Sequence, residues 1–162
     1  MKDAVAGFAA IRAAIERAAN MHVKVGVLAS TGGGQTHDSK SGLSTIEIAA
    51  VHEFGSPAAG IPERSFIRRT MTEKKPEIDK AIEKLAAQIV NGSLDPEKAF
   101  AVLGQLGAAE VKKTITEGSG VPPPLQSETI ARKGSSRPLV DTGRLLGSIG
   151  YEVGKGIGEG GI

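Results

Sequence analysis

The sequence predicts an α+β fold of about five helices packed on a small, mainly antiparallel sheet. Two observations predict it. Long segments repeat apolar residues at helical spacing, whereas only two short segments, one near each end, have the pattern of strands. Capping residues, glycines and prolines mark the boundaries between them. A sheet this small does not stand alone, so either helices cover it or subunits share it.

The elements follow in order. Val5, Phe8, Ile11 and Ile15 give residues 3–19 a helical stripe that ends near Asn20. From His22 to Ala29 the pattern alternates, with Val23, Val25 and Val27 on one side and Lys24 and Gly26 on the other. Ser30 to Gly42 is rich in glycine and serine and reads as a flexible loop that orders on assembly. Ser44 with Glu47 forms a capping box for a helix that Gly55 closes. Helix resumes at Ser65, and Pro76 kinks it or starts a new one. Ile78, Ile82, Leu85 and Ile89 then make one apolar stripe, ended by Asn91-Gly92. Asp95 caps the next helix with Pro96 at its first position, and Phe100, Leu103, Val111 and Ile115 form its inner face. A short helix is expected over 127–133. Asp141 or Thr142 caps another, and Ser148 to Val153 reads as a strand.

The length, 162 residues, suits a single α+β domain over 1–153, followed by a flexible Gly-rich tail over 154–162. Five aromatic residues leave a core built from Ala, Ile, Leu and Val, and supply few platforms for stacking bases or sugars. A net charge of +2 is no nucleic-acid signature. The absence of cysteine removes disulfide and thiolate chemistry. No apolar run is long enough for a membrane span.

Two motifs suggest catalysis and fall short. Gly34 to Ser41 sits between a strand and a helix, with Lys40 and Ser41 placed like the lysine and hydroxyl of a phosphate-binding loop. Ser39 replaces the second glycine of that motif. A nucleotide-binding protein using Lys40 and Ser41 is therefore the alternative reading. Asp141-Thr142-Gly143 mimics the turn of aspartic proteases, but it runs into a helical segment and needs a second copy to supply the other carboxylate. His22, His37 and His52 have no metal-binding spacing. A basic cluster of Arg132, Lys133, Arg137, Arg144 and Lys155 leaves a DNA-binding accessory role as a further alternative. No cofactor or metal site is expected.

Two segments taken together carry a resemblance. In the first, Ile48–Phe66, the matching residues are His52, Glu53, Phe54, Gly55, Ile61, Pro62, Arg64 and Phe66. In the second, Pro124–Ile149, they include Pro124, Leu125, Thr129, Gly134, Pro138, Leu139, Asp141, Thr142, Gly143, Leu145 and Ile149. In this order and separation the chain resembles the tail-completion or neck proteins of tailed phages, also called minor tail protein Z-like or virion morphogenesis proteins. The resemblance covers roughly residues 23–153. It implies a non-enzymatic subunit of a ring, commonly hexameric, at the head–tail junction of the virion. Such a subunit is assembled in the host cytoplasm, contacts itself and other neck and tail proteins, and lets DNA pass through its lumen. On this reading Arg137, Asp141, Arg144 and Tyr151 are candidates to face a neighbour. Phe54 and Phe66 are expected to anchor the turn between them. The Gly-rich end after Val153 departs from the family's pattern.

Overall fold

In a computed structural model of the chain, the described residues are 2–36, 42–117, 121–124, 127, 130–131, 139 and 143–156, with side chains from Gly7 onward. The fold is α+β. Its elements are α1 (Lys2–Ala19), β1 (Met21–Val27), α2 (Thr45–Phe54), α3 (Ile67–Glu73), α4 (Lys75–Val90), α5 (Pro96–Thr116), α6 (Arg144–Ser148) and β2 (Ile149–Lys155). β1 and β2 form one two-stranded antiparallel sheet.

Local chemistry explains most boundaries. Ser44 and Glu47 make the reciprocal capping box at the start of α2. Gly55 ends that helix at φ +73°, a conformation that costs a residue with a Cβ. Helix cannot run through Pro76, whose ring would meet the carbonyl four residues back, so α3 stops at Glu73. Pro76 then falls in the first turn of α4, where no N–H is needed. Asp95 Oδ1 accepts the Glu97 N–H at 2.9 Å, capping α5 behind Pro96.

Some boundaries differ from expectation. The N-cap of α6 is Gly143 at φ +74°, not Asp141 or Thr142, which lie outside the described residues with Arg137. The left-handed backbone at this position suits glycine. β2 continues past Val153 to Lys155, and the Gly156 N–H donates to Asn20 O at 2.9 Å. Ser127, Ile130 and Ala131 are helical, within the expected short helix. The loop after β1 begins with a 3₁₀ turn over Ala29–Thr31, and Thr36 bridges to Ser44. Residues 37–41 lie outside the described residues.

The chain forms two compact units. One holds residues 1–24, 75–107 and 151–162, the other 25–74 and 108–150. In the first, α1 packs on α4, and Ile89 and Ala99 are buried. Gly104 of α5 lies under the Tyr151 ring, where a Cβ would overlap the ring atoms. His22 faces Gly154 in the same way, and its Nδ1 lies 3.0 Å from Gly156 O. In the second unit, Phe66, Val111, Ile115, Val121 and Ile149 form the centre of the core, each 2% exposed or less. Ala49, Ala108, Leu139 and Leu145 surround them. The apolar stripe predicted for α5 thus serves both units: Phe100 and Leu103 are half-buried in one, Val111 and Ile115 buried in the other.

Candidate assembly site

The segment from His52 to Arg68, in the second unit, is built around the Glu53 carboxylate, which is 5% exposed. α3 begins with backbone N–H groups that no turn of its own can satisfy. Glu53, from the end of α2, supplies the acceptors. Its Oε2 accepts the N–H groups of Phe66 at 2.8 Å and Ile67 at 2.9 Å. Its Oε1 accepts from the Arg68 N–H and the Ser65 hydroxyl, both at 2.9 Å, and from Arg68 Nε at 3.1 Å. The negative charge also sits at the positive end of the helix dipole. With so many donors, the roughly four lone-pair sites of a carboxylate are taken up. Glu53 is therefore a helix cap supplied from a distance.

The rest of the motif shapes the intervening loop. A Cβ at Gly55 would lie 2.8 Å from Glu63 N, so the loop closes only over glycine. Ser56 and Ile61 pair in an antiparallel bridge, and the Arg64 N–H donates to His52 O at 2.7 Å. Pro62 is exposed on this loop. Arg64 is 5% exposed, and burial lowers its guanidinium pKa. The group stays charged and donates to Pro123 O at 3.0 Å and Pro124 O at 3.4 Å. Arg64, from the first segment singled out in the sequence, therefore reaches the residue before the second segment and that segment's first residue.

Phe66 is fully buried, as expected of an anchor. Phe54 is not: 51% of its surface is exposed, and its ring carries the Arg68 guanidinium 4.9 Å from the centroid. The last residue of α2 points this ring away from the Ala49 side that enters the core. The sequence reading missed Ser65 and Arg68 as partners of Glu53. Their spacing signals no cap, because the capping residue precedes the helix by a whole loop.

The interface candidates are separated in their surroundings. Tyr151 is half-buried against Gly104 and belongs to internal packing. Arg144 is exposed and donates to Thr36 O at 3.0 Å. Arg137 and Asp141 lie outside the described residues, as do Lys40 and Ser41 of the phosphate-loop alternative. At the start of α2, which follows Lys40 and Ser41, the amides of residues 44–47 already have acceptors. Ser44 N–H donates to the Glu47 carboxylate at 2.7 Å, Thr45 N–H to Gln35 O at 3.0 Å and Ile46 N–H to Gly33 O at 2.9 Å. The Glu47 N–H donates to Ser44 Oγ at 3.3 Å.

Among the described residues no cluster of His, Asp and Glu is placed to hold a metal ion, and no helix is long and apolar enough to cross a membrane. Comparisons with family models, with curated proteins and with solved structures give no match.

Proposed function

We propose that the chain is a structural, non-enzymatic subunit of the head–tail junction of a tailed phage. It works as a homo-oligomeric ring, six copies being the usual number for the proteins it resembles, with DNA passing through the lumen. It joins tail to head by contacting other neck and tail proteins. The reading rests on the resemblance of the two sequence segments. The observation that supports treating them as one motif is the buried Arg64, which ties the first segment to the carbonyls of Pro123 and Pro124, at the start of the second. The saturated Glu53 carboxylate favours a shaping role for the motif over a chemical one.

The test is assembly without this chain. Heads and tails made in its absence should stay unjoined, and the purified wild-type protein should restore infectious particles. Native mass spectrometry of the joined neck should find a ring of this chain. Normal joining in its absence, or one copy per particle, would overturn the proposal. ATP or GTP turnover lost in Lys40→Ala would favour the nucleotide reading instead.

A further inference from the structure

Helix α1 has 18 residues, yet none of its residues from Gly7 onward is buried; Ile11, Ala14 and Ala18 are half-buried. Phe8 is 71% and Ile15 45% exposed. Most helical stability in proteins comes from packing an apolar face, so a helix this bare is short of a partner. Beside Ile15, α1, α4 and α5 enclose a groove of about 380 Å³ within the first unit. Its walls include Ile15, Ile82, Leu85, Val90, Phe100 and Leu103, and every residue lining it is apolar. Ile82 and Val90 are 44% and 50% exposed. Small-molecule sites carry a few convergent polar groups that orient the ligand, and none lines this groove. Its chemistry fits an apolar side chain.

We infer that this face is a contact between copies of the chain, in which Phe8 of one copy enters the α1–α4–α5 groove of the next. Phe8 cannot fill its own groove: it lies seven positions before Ile15 on the same helix, about 10 Å along the axis. The knob and the hole match in charge, since Gly7 to Ile11 is an uncharged run and the groove is uncharged. Gly7, Ala9 and Ala10 leave the shoulders of the knob low enough for close approach. The two surfaces differ, so the contact is head-to-tail, and it closes a ring where its rotation divides the full turn. A Phe buries roughly 150–250 Å². With α1 about 27 Å long, the interface falls at the small end of specific contacts, below about 1,200 Å². Association through it is therefore weak and concentration-dependent. The contact gives the proposed ring a surface on which copies meet, but it rests on packing alone and holds or fails separately from the neck role.

The cysteine-free chain permits a direct test. Phe8→Cys and Val90→Cys proteins, mixed and mildly oxidised, should form an intermolecular disulfide linking positions 8 and 90. Each alone should form far less, as should Phe8→Cys mixed with Ala59→Cys, an exposed position in the other unit. Both sites are at least half exposed, so the variants should fold like the parent. Phe8→Glu should weaken self-association of the otherwise intact chain at least about tenfold in sedimentation. The contact is wrong if Phe8→Cys alone links as readily as the mixture, if the Ala59→Cys control links as well as Val90→Cys, or if Phe8→Glu associates like the wild type. Joining of heads and tails is scored separately. Normal joining by a ring lacking the 8–90 link removes the contact and leaves the neck role. A strong link in a chain that particles do not need removes the neck role and leaves the contact.

Discussion

Replacing Glu53 should be among the most damaging single changes in this chain. Glu53→Ala removes the shared acceptor of the Phe66, Ile67 and Arg68 amides. The Phe66 amide is buried and has no route to water, and an unsatisfied buried donor costs about 1–3 kcal/mol. The other two amides are partly buried and recover some hydration, so together they contribute the loss of an ordinary helix cap, about 0.5–2 kcal/mol. Arg68 adds little, because its side chain is 53% exposed and keeps bonds to Glu53 O and to Glu63. The total is about 1.5–5 kcal/mol, to be set against the roughly 5–15 kcal/mol that holds a typical domain together.

Urea unfolding at neutral pH measures it directly. For a chain of this size each kcal/mol moves the melting temperature by about 2–4 °C, so Glu53→Ala should melt roughly 3–20 °C lower. Glu53→Gln keeps the shape and one acceptor oxygen but turns an N–H₂ toward N–H donors, and should lose roughly half as much. A loss below about 1 kcal/mol for Glu53→Ala would refute the reasoning, since the amides would then have found other partners.

Phe66→Ala should cost about 3–5 kcal/mol, whereas Phe54→Ala should cost less than about 1 kcal/mol; comparable losses in denaturant titrations would contradict the burial difference between them. Gly55→Ala forces a side chain into positive φ against Glu63 N, and a penalty of at least about 1–3 kcal/mol is expected from the melting curve. Hydrogen bonds from the Ser44 backbone and hydroxyl hold the Glu47 carboxyl below its ordinary pKa of 4.5. A carboxyl lowered by folding stabilises above its unfolded pKa and loses that contribution as pH falls through the folded value. The advantage of wild type over Glu47→Gln should therefore be full at neutral pH and shrink on acidification below 4.5; a gap unchanged by acid would show that the charge plays no part.

The parts of the fold legible in the sequence are those whose causes are local. The Ser44–Glu47 box, the break at Pro76 and the cap at Asp95 each act within one turn, so spacing alone reveals them. Glu53 was visible as part of a motif, but its role depends on a loop that returns Ser65–Arg68 to it, and no periodicity encodes that return. Phe54 and Phe66 look alike in sequence. One ends a helix and lies on its outer side, and the other begins the next at the centre of the core, a difference set by the turn at Gly55. Tyr151 was singled out as a candidate to face a neighbour, and no periodicity shows that Gly104, 47 positions earlier, makes room for its ring.

The motif residues and the contact residues divide by what bonding and packing capacity each has left. Glu53, Arg64 and Phe66 have spent theirs inside the second unit, on helix amides, loop carbonyls and the core. Substituting them perturbs folding first, so lost assembly in those variants says little about an interface. Phe8, Phe54 and Pro62 keep exposed apolar surface. Covering such surface costs little conformational entropy, because Phe and Pro have few rotamers to lose. Polar or charged replacements at these exposed positions leave the buried core alone, though at Phe54 they also remove the Arg68 stack. They are therefore the substitutions through which assembly can be separated from folding.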